Sequence, residues 1–231
     1  METRILQGIE GAKKAEGLTV VIDVFRAFTT ACCVMSGYPQ RIIPVADIER
    51  ARQLKKDHPD WILMGERDGQ KPEDFDYGNS PSGIEYELFF GQNVILTTSS
   101  GTQGIEAARI TVSEIITGAL VNVSAIVRYI QEKNPQVLSL VSLGTKGREP
   151  ADEDNLCAVC IQAGLWEIYP TNDQIRGILE KSETAQKFFD FHQPWFSRDD
   201  FDLCVSVDQF HGFVLRLNTS EELPFLERVS V

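Results

Sequence analysis

Four short clusters in this chain carry side chains that could do chemistry. Asp23 interrupts the β-branched run Leu18–Phe25, and Arg26 follows it directly. Glu66 and Arg67 close the apolar stretch Trp61–Gly65, and a long polar loop leads from them to Asn79, Ser80 and Pro81. Thr97, Thr98, Ser99, Ser100, Gly101 and Thr102 form a third cluster, and Gly144, Thr145, Lys146, Gly147 and Arg148 a fourth, with Asp152, Glu153 and Asp154 shortly after it. A carboxylate at the end of an apolar strand is costly unless it is paired, hydrogen-bonded or bound to a cation. Asp23 and Glu66 therefore read as site residues.

The residue types suggest oxyanion and metal chemistry. Asp23, Glu66, Glu153 and Asp154 are hard-oxygen ligands of the kind Mg2+ takes one or two at a time beside water and phosphate. For Asp152–Asp154 the alternative is simple helix-start acidity, which complements the helix dipole. Thr98, Ser99, Ser100, Gly101 and Thr102 lead from a strand into a helix and offer hydroxyls and backbone N–H groups to an anion, although the same residue types also cap helices. Lys146, Gly147 and Arg148 combine cations with the flexibility needed for close approach to an oxyanion.

These clusters need elements to place them. Strands are predicted at 18–25, 41–46, 61–66, 93–100, 114–120 and 136–144. Helices are predicted at 27–36, 47–58, 81–91, 103–109 and 124–132, with Asp47 as a helix cap. Their alternation implies an α/β fold, a layered α/β/α arrangement around a mixed, largely parallel sheet. After about residue 150 the rhythm becomes more helical, with helices at 152–165, 173–191 and 197–207 and short strands at 213–217 and 226–229. Residues 1–165 read as the α/β core carrying the motif loops. Residues 166–231 read as a C-terminal part packed on it, with one continuous domain as the alternative. In an open α/β sheet, ligands bind outside the carboxyl ends of the strands. Asp23, Glu66, the Thr/Ser run and Gly144–Arg148 all end predicted strands, and they would share a crevice if those strands are parallel neighbours.

Composition excludes several classes. A formal charge of −12 over 231 residues argues against non-specific nucleic-acid binding, which needs basic surface. No apolar run approaches the length of a membrane span, and the N-terminus has no apolar signal core, so the expected location is cytoplasmic. Cys157 and Cys160 form a C-x-x-C without a second pair to complete a zinc site, and all five cysteines read as core thiols. There is no G-x-S-x-G elbow and no Walker A lysine motif. The histidines, His58, His192 and His211, are scattered, so a His-based site is not expected.

The four clusters together resemble the magnesium-dependent 2-phosphosulfolactate phosphatases of coenzyme M biosynthesis. The resemblance covers roughly residues 18–165. It is carried by Asp23 through Thr30, by Gly65-Glu66-Arg67 through Asn79-Ser80-Pro81, by Thr97–Thr102, and by Gly144–Gly147 with Glu153–Ala158. Three positions depart from it: Ser100 stands where the family usually has Asn, Asp68 precedes Gly69, and Val159 replaces a glycine. The resemblance implies Mg2+-assisted hydrolysis of the phosphate monoester of 2-phosphosulfolactate or a related small phosphorylated hydroxy acid. Asp23, Arg26, Glu66 and Arg67 would be catalytic, and Asp23, Glu66, Glu153 and Asp154 would hold the metal. Asn79, Ser80, Thr98–Thr102, Lys146, Gly147 and Arg148 would bind substrate. The attacking group is a water or a carboxylate such as Asp23, with water preferred. The expected partner is a small anionic substrate, with a homodimer as the possible assembly. The alternative from another class is a non-catalytic anion-binding paralogue, to which added carboxylates would bring nothing.

Overall fold

The computed structural model describes residues 1–231. Its strands are β1 (Glu2–Gln7), β2 (Leu18–Ile22), β3 (Arg41–Pro44), β4 (Ile62–Gly65), β5 (Asn93–Thr97), β6 (Glu114–Gly118), β7 (Val137–Ser142), β8 (Phe213–Asn218) and β9 (Phe225–Ser230). The α-helices are α1 (Gly8–Ala12), α2 (Ala27–Ser36), α3 (Ile48–Asp57), α4 (Gly101–Ala108), α5 (Val123–Lys133), α6 (Asp152–Gly164), α7 (Asn172–Leu179) and α8 (Arg198–Cys204). All strands join one sheet in the order β1-β7-β2-β6-β8-β9-β3-β5-β4. The α/β class and the mixed, mostly parallel sheet agree with the sequence reading.

Helices cover both faces, so strand residues are apolar on both sides. In β2, Val20 and Ile22 join the core under α5 and α6, while Val21 joins the core under α1, α2 and α4. The five cysteines are free and buried, as expected of core thiols.

Three parts of the secondary-structure reading are corrected. Residues 81–91 form two short 3-10 turns, Pro81–Gly83 and Tyr86–Phe89, instead of one helix. The stretch 173–191 is α7 followed by a 3-10 segment, Glu183–Phe188. Ser182 makes the break: its hydroxyl donates to Leu179 O and accepts from Ala185 N, starting a new turn. The edge strand β1 and the short α1 lacked a sequence signal, because Glu2–Gln7 mixes charged and apolar residues on a half-exposed strand.

Residues 166–231 do more than pack on the core, since β8 and β9 lie in the middle of the sheet. Their hairpin pairs antiparallel to β6 on one side and to β3 on the other. Three successive antiparallel pairings therefore separate two parallel blocks, β1-β7-β2-β6 and β3-β5-β4, which run in opposite senses along the sheet. The site-bearing ends of β2 and β7 belong to one block, and those of β4 and β5 to the other. Parallel neighbours account for each pair but not for their meeting. The loops after the strands join across the blocks, as where the Ser100 hydroxyl donates to Gly144 O. At the junction α4 packs so closely on α2 that a Cβ on Gly101 would lie 2.7 Å from Ala27 Cβ.

Candidate active site

The two sets of strand ends enclose one crevice of about 230 Å³, lined by side chains from both blocks and from the C-terminal part. That is below the ~300–1,000 Å³ of drug-sized pockets, which suits a compact ligand. The lining is mostly polar, with only Phe25 and Phe196 apolar among its residues.

Asp23 follows β2 directly and starts α2. Its Oδ1 accepts the Ala27 N–H at 3.0 Å, and its backbone carbonyl accepts the Phe28 N–H. Oδ2 has no hydrogen-bond partner and lies beside the start of α4, 3.1 Å from where a Gly101 Cβ would stand. Burial, together with the nearby charges of Glu66 and Glu153, pushes the Asp23 carboxyl up to about 7. The Phe25–Arg26 peptide beside it is cis.

The three other buried carboxylates of the crevice divide into different roles. Glu66, at the end of β4, accepts Ser99 N–H at 2.7 Å on one oxygen; the other accepts Gly69 N–H at 2.7 Å and the Ser99 hydroxyl at 3.1 Å. Asp154, in the first turn of α6, accepts Val24 N–H and Gly144 N–H, each at 2.8 Å, one on each oxygen. These two carboxylates brace loops together. Glu153 accepts a hydrogen bond from the Thr184 hydroxyl on Oε2 and leaves Oε1 without a partner. Burial raises the pKa of Glu153 and, more strongly, of Asp154, whose neighbours Glu153 and Asp23 add to the effect.

Most of the expected site residues converge here. Asp23, Arg26, Glu66, Asn79, Ser99, Ser100, Lys146, Glu153 and Asp154 all line the crevice, and Gly101 brings α4 against its wall. The Ser100 hydroxyl ties the two blocks by donating to Gly144 O at 2.9 Å. The Asn79 side chain is buried, and its Oδ1 has no partner.

Six expected residues are placed elsewhere. Arg67 turns away from the crevice and donates to Glu66 O, Ala46 O and Thr97 Oγ1. The Ser80 hydroxyl donates to Asp200. Thr98 and Thr102 lock each other, each hydroxyl accepting the other's N–H, and so cap α4. Gly147 accepts Ile9 N–H through its carbonyl, and Arg148 is exposed beside it on another face. Each of these six belongs to a motif whose neighbours face inward, and residue type alone could not separate the two sides.

Sequence reasoning missed Lys187, Phe25, Phe196, Asp68 and Gly69 as lining residues, and Asp200 as the partner of Arg26. Arg26 donates to Asp200 at 2.6 Å, to Trp195 O at 2.8 Å and to Gly69 O at 3.0 Å, while its guanidinium lies 4.6 Å from the Phe196 ring centre. Lys187, Phe196 and Asp200 come from the C-terminal part, where no motif marked them. At the rim, Lys146 pairs with Asp68 at 2.5 Å.

Comparison with known proteins assigns the chain to a family. The family described as 2-phosphosulpholactate phosphatase matches residues 4–218. The chain belongs to that family. A relative from Thermotoga petrophila is 44% identical over 129 residues, which are 56% of this chain and 54% of that protein. One from Clostridium acetobutylicum is 28% identical over 217 residues, covering 87% of this chain and 89% of the relative. A Bacillus subtilis relative is 29% identical over 236 residues and covers both chains completely. All three carry the name "Probable 2-phosphosulfolactate phosphatase". In the match with the Thermotoga protein the chain spans about half of the relative's length. No helix is long and apolar enough to cross a membrane.

Proposed function

We propose that the chain is a Mg2+-dependent phosphatase that hydrolyses the phosphate monoester of 2-phosphosulfolactate, giving 3-sulfolactate and phosphate, or of a related small phosphorylated hydroxy acid. The observation that carries this reading is the position of Asp23 Oδ2, an unpartnered carboxylate oxygen beside the N-terminus of α4. A helix start favours an anion, yet an anion beside a carboxylate is repelled unless a cation lies between them.

The donor set fits such a cation. Asp23 and Glu153 each keep an unpartnered oxygen in the crevice, and burial disfavours their charged forms in the absence of a cation. Mg2+ takes one or two carboxylates and fills the rest of its shell with water and phosphate. Asp23 and Glu153 would hold the ion. Glu66 and Asp154, each of whose oxygens already accepts a hydrogen bond from a flanking loop, would position the loops around it. When bound, Mg2+ supplies neutralisation of phosphoryl charge and lowers the pKa of a water for attack.

The chain's own residues do the rest. At the start of α4, Ser100 and Gly101 offer N–H groups without intrahelical acceptors, and these would hold phosphoryl oxygens. Arg26, which lines the crevice, uses three of its N–H donors on Asp200, Trp195 and Gly69 and has two more without a protein partner. They would orient a second acidic group of the substrate. Phe25 and Phe196 exclude water from that side.

Phosphate release from a panel of small phosphorylated acids, 2-phosphosulfolactate included, in Mg2+ and in EDTA, tests this. Metal-dependent release from a phosphorylated hydroxy acid is expected. No release from any member by the folded protein with Mg2+ would favour a non-catalytic anion-binding role.

A further inference from the structure

Three cations line the crevice, Arg26, Lys146 and Lys187. Two of them are already matched: Arg26 with the buried Asp200, and Lys146 with Asp68. Lys187 has no ion pair and no side-chain hydrogen bond, although it is half-buried at a crevice lined by five carboxylates.

The environment of Lys187 explains how it stays apart from those carboxylates. Its Nζ lies 5.1 Å from the ring centre of Phe196, 5.4 Å from that of Phe188 and 5.8 Å from that of Phe25. These rings are themselves locked edge to face, Phe25 on Phe188 at 5.0 Å and Phe188 on Phe196 at 5.6 Å. Aromatic faces attract the ammonium without neutralising it. Three residues earlier, Thr184 donates to Glu153, so the 3-10 segment carrying Lys187 is fastened to the floor of the same crevice. The positive charge acts on both Asp23 and Glu153, the two buried carboxylates with a free oxygen. A lysine with a purely structural role here would close onto one of them. This one is held in an aromatic collar as an unneutralised donor.

We propose that Lys187 is the phosphoryl-binding cation of the crevice, contacting the non-bridging oxygens of a phosphate ester held beside Asp23 and the start of α4. The assignment rests on the phosphatase reading above and adds a contact supplied by the C-terminal part. It gives that part a direct role in the reaction. Lysine serves phosphate as a compact point charge, and its flexible stem lets it follow the phosphoryl group as ester becomes free phosphate.

The test compares wild type, Lys187→Gln and Lys187→Arg, with inorganic phosphate as probe. Phosphate binding is measured by calorimetry in Mg2+, and phosphate inhibition and kcat/KM on the best member of the phosphorylated-acid panel. Lys187→Gln should weaken phosphate binding and raise its inhibition constant roughly 10- to 100-fold, the range for losing a charged hydrogen bond. Lys187→Arg should recover most of the loss, and the Mg2+ concentration for half-maximal activity should not rise in Lys187→Gln. Phosphate binding within about twofold of wild type would overturn the proposal, on the same scale of charged-contact loss. So would a raised KM with an unchanged phosphate inhibition constant, which would place Lys187 on the substrate's other acid, or a raised Mg2+ requirement, which would make it a support for the metal ligands. If wild type turns over no panel member, the phosphatase reading fails, and the calorimetric comparison still decides whether Lys187 binds phosphate.

Discussion

Arg26 and Asp200 form an ion pair 2.6 Å long with side chains only 2% and 0% exposed, joining the turn after β2 to the first turn of α8. The other Asp200 oxygen accepts the Ser80 hydroxyl at 2.7 Å, Ser82 N–H at 3.0 Å and the Ser82 hydroxyl at 2.6 Å. One buried carboxylate thus fastens three segments that are distant in sequence. Asp200→Ala would leave the Arg26 charge buried and unpaired, a loss of about 3–5 kcal/mol. Urea unfolding should show a lower midpoint with little change in slope. A variant within ~1 kcal/mol of wild type would mean that water replaces Asp200 cheaply, contrary to the burial seen here.

Asp23 makes the fold pH-sensitive in a direction that can be worked out. Burial, with Glu66 and Glu153 nearby, lifts its carboxyl to about 7 in the folded chain, against about 4 when unfolded. The folded state therefore binds the proton more tightly than the unfolded state. Stability from this group is full below about pH 4 and is lost as pH rises toward 7. Glu153 and Asp154, both raised by burial, act in the same sense. In EDTA, denaturation should give lower stability near pH 8 than near pH 5, and Asp23→Asn should flatten that difference while abolishing phosphate release. An unchanged pH slope in the variant would show that Asp23 ionises without penalty. Added Mg2+ should restore much of the wild-type loss near pH 8 if Asp23 and Glu153 hold the ion, because a ligand that binds only the folded state stabilises it.

Arg67 follows Glu66 directly, and the two side chains have opposite fates. The Arg67 guanidinium donates to Glu66 O at 2.7 Å and Thr97 Oγ1 at 2.8 Å on the side away from the crevice. Arg67→Lys should therefore cost stability, about 1 kcal/mol for the lost second arm of the fork, and leave kcat/KM within severalfold of wild type. A loss of a hundredfold or more in kcat/KM with an unchanged unfolding midpoint would return Arg67 to the reacting centre.

Much of this arrangement was legible in the sequence. Asp23 and Glu66 stood out because each ends an apolar strand, where an unpaired charge would be unfavourable, and both line the crevice. The Asp47 cap, which accepts Arg50 N–H at 2.7 Å, followed from a local rule. What sequence could not reveal was set by long-range geometry. Thr98 and Ser99 are adjacent hydroxyl residues, yet Thr98 caps α4 while Ser99 reaches Glu66. No local pattern distinguishes them. The central placement of β8 and β9 depends on which sheet edge a late hairpin finds, and Lys187 becomes a site residue only because Thr184 docks on Glu153.

Glu66 gives the sharpest test of whether bracing matters to the chemistry. Its carboxylate takes three donors from two loops, Ser99 N–H and hydroxyl after β5 and Gly69 N–H after β4. Glutamine has one carbonyl oxygen to accept with, and its NH2 would face a backbone N–H, so Glu66→Gln must release one of the loops. That leaves a buried donor unmatched, at about 1–3 kcal/mol. It also lets the Ser99–Gly101 turn drift from Asp23, and a misplacement of that kind costs on the order of 100-fold in rate. The expected outcome is a folded, moderately destabilised protein with phosphate release lowered by that factor through kcat more than KM. Wild-type turnover in Glu66→Gln would mean that neither the brace nor the carboxylate matters to the reaction. A loss of turnover with unchanged stability and an abolished Mg2+ response would instead make Glu66 a metal ligand.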